Sequence, residues 1–196
     1  MNVLLYFGSF NPIHNGHINL AKYLSDHYDF DSIWFVVSPQ NPLKPKSSLW
    51  DNDIRYNIAK KALSDYSNFF VSDIEFGTPQ PNYTANTLRR LSNIYPNYIF
   101  SILIGEDNLK ILYKWFDYQY IIDNYKIYVY PRLGDNEDND IPKYNNENNI
   151  IRINAPLFNI SSTIIRNRLQ KSESVEGLVP DNVIELINKY CEEGRI

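Results

Sequence analysis

Six short apolar runs, separated by stretches with helical spacing, constrain the fold of this chain more than any other feature. The runs are Val3–Phe7, Ser32–Val37, Asn68–Val71, Tyr98–Ile104, Lys126–Tyr130 and Asn149–Ile153. Most are continuously apolar, the pattern of strands covered on both faces. Between them, Ile18, Ala21, Leu24 and Tyr28 share one helical face, as do Ile54, Ile58 and Ala62 behind Asp51 as a cap. Thr84–Tyr95 repeats the spacing with Leu88 and Leu91, and Thr163–Leu169 and Asp181–Tyr190 end the chain, the latter behind Pro180. Such alternation predicts an α/β fold with a doubly wound parallel sheet. Right-handed crossovers then bring the carboxyl ends of the strands to one edge, where ligands bind.

The length, 196 residues, suits one domain, with a core over about 1–160 and a small C-terminal helical subdomain over about 161–196. A Pro-rich loop follows the second run (Pro39–Pro45), and an Asp/Asn-rich loop, Gly134–Asn149, is the expected surface insertion. The net charge of -4 argues against broad nucleic-acid binding, which favours a basic face. One cysteine, Cys191, excludes an internal disulfide and a multi-cysteine zinc site. No apolar run approaches the ~20 residues of a membrane span, and the N-terminus shows no signal-peptide pattern. The expectation is a cytoplasmic protein without a membrane partner; a homo-oligomer is compatible with the sequence.

The corner after the first run reads GSFNPIHNGH, Gly8 to His17, and holds two of the three histidines. A strand-to-helix turn presents free backbone N–H groups and the positive end of a helix dipole, a ready phosphate site. Gly8 and Gly16 remove Cβ atoms from it, Ser9 offers a hydroxyl, Pro12 fixes the turn, and His14 and His17 offer ring N–H donors. The bland alternative is a corner with two surface histidines. The spacing lacks the i, i+4 pair and glutamate of a metalloprotease, and the turn matches neither G-x-G-x-x-G nor G-x-x-x-x-G-K-[ST]. A second element, Ile160–Arg166 (ISSTIIR), sets Ser161, Ser162 and Thr163 at a helix head with Arg166 one turn on. Hydroxyls, N–H groups and a guanidinium then meet in one volume suited to phosphate; an ordinary capped helix is the alternative.

The opening turn resembles the nucleotidylyltransferase superfamily, whose (T/H)-x-G-H motif is His14-Asn15-Gly16-His17 here. The flanking residues are most similar to the nicotinate-nucleotide adenylyltransferases of bacterial type, although Phe7 stands where that family usually has glycine. ISSTIIR resembles the superfamily's S-[ST]-T-x-I-R signature. The resemblance implies a single, Rossmann-like nucleotidyltransferase domain over residues 1–196. The implied reaction is adenylyl transfer from ATP to nicotinate mononucleotide, giving deamido-NAD and pyrophosphate in NAD biosynthesis, with Mg²⁺ carried on ATP. It also implies catalytic roles for His14, His17 and Arg166. ATP contacts would come from Gly8, Ser9, Phe10, Gly16, Lys44, Ser161, Ser162 and Thr163. Mononucleotide contacts would come from Tyr83 and Thr84 of PNYTANTL, Gly105 and Asp107, Trp115, and Arg132. From the residues alone, Tyr83 and Thr84 could equally be a core aromatic and a cap. Asp107 could cap the next short helix, and Trp115 could be core. A sister transferase acting on nicotinamide mononucleotide or phosphopantetheine remains open, as does a nucleotide-binding regulator without turnover. An RNA-binding α/β domain is disfavoured by the acidic balance.

Overall fold

The computed structural model describes residues 1–39, 49–131 and 142–196. Lys44 and Arg132, both expected at the phosphates or the pyridine carboxylate, lie outside the described residues. Six strands form one parallel sheet in the order β3-β2-β1-β4-β5-β6: β1 Asn2–Gly8, β2 Ser32–Val37, β3 Phe69–Ser72, β4 Ile99–Gly105, β5 Lys126–Tyr130 and β6 Ile150–Arg152. The chain winds outward from β1 to β3, then returns to begin the second half at β4. The strand order therefore reverses between β1 and β4, where a crevice opens at the carboxyl edge.

Helices cover both faces: α1 Asn15–His27, α2 Asn52–Ala62, α3 Thr84–Ile94, α4 Glu106–Lys110, α5 Tyr118–Asn124, α6 Ser162–Gln170 and α7 Ile184–Glu192. Successive strand residues point to opposite faces, so β1 feeds two cores. Leu4 joins Leu20, Ala21, Leu24, Ile54 and Ile58 on one face, whereas Val3 and Leu5 join Leu88, Leu91, Ile121 and Ile122 on the other. This explains the unalternating apolar runs: a strand with a helical layer on either side has no face left for water.

The C-terminal helices share the first of these cores. Ile165 of α6 and Ile187 of α7 are fully buried in the same cluster as Leu4 and Ile54. Asn15 ties the head of α1 to the α6–α7 connection, its backbone N–H donating to Leu178 O at 2.9 Å and its side-chain amide to Gly177 O at 2.9 Å. The structure departs from the sequence expectations in local details. Asp51 occupies the cap position of α2, but its side chain makes no capping hydrogen bond. Asp181–Val183 form a 3₁₀ turn that leads into α7. The end of the Asp/Asn-rich loop is pinned by Tyr144, which is buried and donates from its hydroxyl to Leu109 O at 2.6 Å.

Candidate active site

A cleft of about 810 Å³ lies at the carboxyl edge of the sheet, over the β1–β4 switch point. Tyr6, Phe7 and Gly8 line it from β1, and Leu103, Ile104 and Gly105 from β4. Phe7, the departure from the family pattern, is an ordinary strand residue in register with Val36. The turn begins only after Gly8, so a side chain at position 7 costs it nothing.

The turn is built by side-chain packing as much as by its glycines. A Cβ on Gly8 would lie 2.8 Å from the Phe10 ring, and one on Gly16 would lie 3.1 Å from the His14 ring. Both glycines thus make room for neighbouring side chains, and both line the cleft. Phe10 takes a left-handed backbone conformation (φ 41°) that a non-glycine residue adopts only under constraint. Its ring supplies the constraint: it is 2% exposed and packs against Tyr6, Phe35 and His17 at centroid distances of 5.4, 5.5 and 5.1 Å. Phe10 therefore shapes the turn from the core side.

Three carbonyls of the turn are taken up by distant donors. Ser9 O accepts from Arg55 Nη1 at 2.5 Å, Asn11 O from Arg166 Nη1 at 2.8 Å, and Pro12 O from the Ser162 hydroxyl at 2.9 Å. Asn11 also accepts from Trp50 N–H through its side chain at 3.0 Å. With these acceptors engaged by protein, the turn has fewer carbonyl oxygens to set against an anion.

His14 and His17 cap α1 reciprocally. His14 Nδ1 accepts from His17 N–H, and His17 Nδ1 accepts from His14 N–H, both at 3.3 Å, with the rings stacked at 3.6 Å. A nitrogen that accepts carries no proton, so each imidazole holds its hydrogen on Nε2 as a donor. Burial pushes His14 down to about 4, opposed by its backbone hydrogen bond, so at neutral pH it is an uncharged donor. Both rings line the cleft.

The head of α6 faces them. Ser161 caps the helix by accepting from Ile164 N–H at 3.3 Å, and Arg166 Nη2 donates to Thr163 Oγ1 at 3.3 Å. Ser161, Ser162, Thr163 and Arg166 all line the cleft, and burial lowers the pKa of Arg166. The two motifs, more than 140 residues apart in sequence, are joined by direct hydrogen bonds through Arg166 and Ser162.

The opposite side of the cleft comes from the other helical layer. Tyr83 holds the cap position of α3 without a side-chain cap bond, and Thr84 opens the helix; both line the cleft, as do Gly105 and Trp115. Tyr83 stacks on Phe116 at 4.8 Å, and Phe116 is 50% exposed, so an aromatic surface stands open beside Trp115. Gly105, not Asp107, holds the cap position of α4. Asp107 lies in that helix's first turn and is not among the cleft-lining residues, whereas its neighbour Asn108 is.

Two charged residues here escaped the sequence expectations. Arg55 is fully buried under the turn. The signal was present, because Arg55, Ile58, Ala59 and Ala62 make an i, i+3, i+4, i+7 stripe in which a cation is out of place. Glu75, 3% exposed, lines the cleft; its Oε1 accepts from the Thr87 hydroxyl at 2.8 Å, and its Oε2 is buried without a hydrogen-bond partner among the described residues. Burial raises its pKa, opposed by the hydroxyls of Thr87 and Ser38. Nothing in its local sequence marks it, since its partner Thr87 lies 12 residues on.

Among the described residues, no group of three or more His, Cys, Asp or Glu side chains could hold a metal ion, and no helix is long and apolar enough to cross a membrane. Residues 5–168 match the family model described as cytidylyltransferase-like. A Flavobacterium johnsoniae protein named probable nicotinate-nucleotide adenylyltransferase is 45% identical over 188 residues, 96% of each chain. One of the same name from Bacteroides thetaiotaomicron is 37% identical over 190 residues, 96% of this chain and 92% of that one. In structure, the chain is similar to a Plasmodium falciparum nicotinic acid mononucleotide adenylyltransferase complexed with NaAD, with a TM-score of 0.77, 22% identity, and coverage of 100% of this chain and 98% of the other. The same Plasmodium enzyme complexed with APC aligns with a TM-score of 0.75 at 22% identity over the same shares. This chain therefore belongs to the cytidylyltransferase-like family and, within it, to the nicotinate-nucleotide adenylyltransferases.

Proposed function

We propose that the protein transfers AMP from ATP to nicotinate mononucleotide, releasing pyrophosphate and forming deamido-NAD. The observation that carries this reading is the convergence of the His14–His17 pair and the α6 head on one turn at the switch point, in a chain 45% identical to a relative of that name. The acceptor's 5′-phosphate oxygen attacks the α-phosphorus of ATP, a new P–O–P bond forms, and the bond to the β-phosphate breaks. A phosphate monoester has a second pKa of about 6 and is already an anion, so it needs no general base. The protein's task is alignment and charge neutralisation. The Nε2–H groups of His14 and His17 stabilise the α-phosphoryl oxygens. Arg166, with the N–H groups and hydroxyls at Ser162 and Thr163, holds the leaving pyrophosphate.

Mg²⁺ fits this site as a companion of ATP. The phosphate side of the cleft presents imidazoles, hydroxyls and a guanidinium, so the ion's oxygen ligands would be phosphate and water. When bound, it offsets charge on the transferring and leaving phosphates. Trp115 and the Tyr83–Phe116 pair offer flat surfaces for the pyridine ring, and Thr84 at the head of α3 suits its carboxylate. Release of pyrophosphate, measured with ATP, Mg²⁺ and nicotinate mononucleotide, nicotinamide mononucleotide or phosphopantetheine in parallel, tests the reading. Release should be fastest with nicotinate mononucleotide; faster release with either other acceptor refutes the assignment.

A further inference from the structure

Arg55 has the largest side chain among the fully buried described residues. All five of its N–H donors are used. Nε donates to Trp50 O at 3.0 Å, Nη1 to Ser9 O at 2.5 Å and Ser38 O at 2.9 Å, and Nη2 to Pro39 O at 3.3 Å and Asn52 Oδ1 at 2.6 Å. The acceptors belong to three segments: the phosphate turn, the exit of β2 and the head of α2. None of them is a carboxylate. Burial lowers its pKa to about 10, with Asp51 offsetting part of the effect, so it remains charged at neutral pH.

A buried cation bonded only to neutral dipoles is a costly way to fill space; an apolar side chain would pack α2 more cheaply. Its charge is matched by what the adjoining cleft receives, a triphosphate. Its bond to Ser9 also has a directional effect. If released, that carbonyl could turn toward the cleft and oppose phosphate oxygens. Arg166 and Ser162 restrain Asn11 and Pro12 from the other side, so Arg55 completes the set.

We infer that Arg55 is a positioning residue for phosphoryl chemistry, which holds the Gly8–His17 turn with its Ser9 carbonyl averted and sets a buried positive charge behind the triphosphate without touching it. The inference rests on the adenylyl-transfer reading for the identity of the ligand, but not on which acceptor is used.

Three variants test it: Arg55→Lys keeps the charge and loses the planar fork, Arg55→Met removes both, and Asn52→Ala removes one acceptor. Urea unfolding establishes that each is folded. Titration calorimetry with inorganic pyrophosphate and with a non-hydrolysable ATP analogue reports the phosphate site independently of turnover. Small displacements caused from outside the reacting groups can cost about 10²-fold in rate. Folded Arg55→Met should therefore lose about 10²-fold in kcat and about tenfold in pyrophosphate affinity, with the KM for nicotinate mononucleotide within about threefold of wild type. Arg55→Lys should fall between, and Asn52→Ala should lose about threefold in kcat in the same direction. If Arg55→Met does not fold, the other two decide. Unchanged kcat and pyrophosphate affinity in folded Arg55→Lys and Asn52→Ala would overturn the inference. So would equal losses for pyrophosphate and mononucleotide, the mark of general loosening. Failure of wild type to use nicotinate mononucleotide would revise the acceptor and leave the pyrophosphate measurement intact.

Discussion

The reciprocal cap makes His14 a residue whose structural and chemical duties can be separated. Asn at this position keeps a side-chain acceptor near Nδ1 and is a favoured cap type, but it has no group at the place of Nε2. Ala removes both. In the structure, Ala loses the bond from His17 N–H to Nδ1 at 3.3 Å, while that N–H keeps its bond to His14 O at 2.9 Å. The cap loss therefore falls at the low side of the usual range, about 0.5–1 kcal/mol. Loss of the stacked contact with His17 adds about 0.5–1.5 kcal/mol. His14→Ala should thus cost about 1–2.5 kcal/mol, and His14→Asn only the stacking part. On the proposed role of Nε2, both variants lose a transition-state donor, which is worth about 10²–10³ in kcat, or about 2.7–4 kcal/mol of barrier. Urea denaturation gives the first comparison, and pyrophosphate release at saturating substrates gives the second. A His14→Asn enzyme within about threefold of wild-type kcat would refute the assignment of Nε2 to the α-phosphate. Turnover losses that simply track the stability losses would do so as well.

The depressed His14 pKa also sets a stability profile. The unfolded chain binds the proton near pH 6.5 and the folded chain near 4, so the unfolded state holds more protons in between and stability falls as pH drops through that window. Between pH 7.5 and pH 5 the His14 contribution is about 2 kcal/mol, readable as a decline in unfolding free energy that His14→Asn removes; equal declines in both proteins would refute the linkage. Glu75 has the opposite sign. Its raised pKa means the folded state holds the proton more tightly, so its contribution is greatest at low pH and is lost as pH rises through the carboxyl range. Glu75→Gln should therefore gain stability relative to wild type as pH rises through the carboxyl range, measured by urea midpoints, and a constant difference would refute the raised pKa.

Much of this molecule could be read from its sequence because its signals are local and periodic. The apolar runs over 32–37 and 126–130 coincide with β2 and β5, since a strand buried on both faces leaves an unbroken hydrophobic record. The Gly8–His17 and Ile160–Arg166 motifs were legible because donors, glycines and caps sit within a few residues of each other. What was not legible depends on contacts remote in sequence. Gly8 is explained by the Phe10 ring, Asn11 and Pro12 by Arg166 and Ser162, and Glu75 by Thr87. Asp51 looked like a cap by residue type, yet its side chain makes no cap bond, while the head of α2 instead supplies Trp50 O and Asn52 Oδ1 to Arg55. Arg55 itself stood in an apolar stripe, and the anomaly becomes visible only when every position of the stripe is asked to be apolar.

The two hydrophobic clusters on either side of the sheet give the cleft a division of labour. The helices that carry His14, His17, Arg55 and Arg166 pack in one cluster, and those beside Thr84 and Trp115 pack in the other. The sheet lies between them, so a change of packing beside Thr84 and Trp115 does not have to propagate to the side of His14 and Arg166. On the proposed adenylyl transfer, changes in α3 and the segment after β4 would alter the acceptor side while the side of His14 and Arg166 keeps its own core. Modularity of this kind comes from having two cores in one domain, with one cleft opening above the edge where β1 and β4 lie side by side.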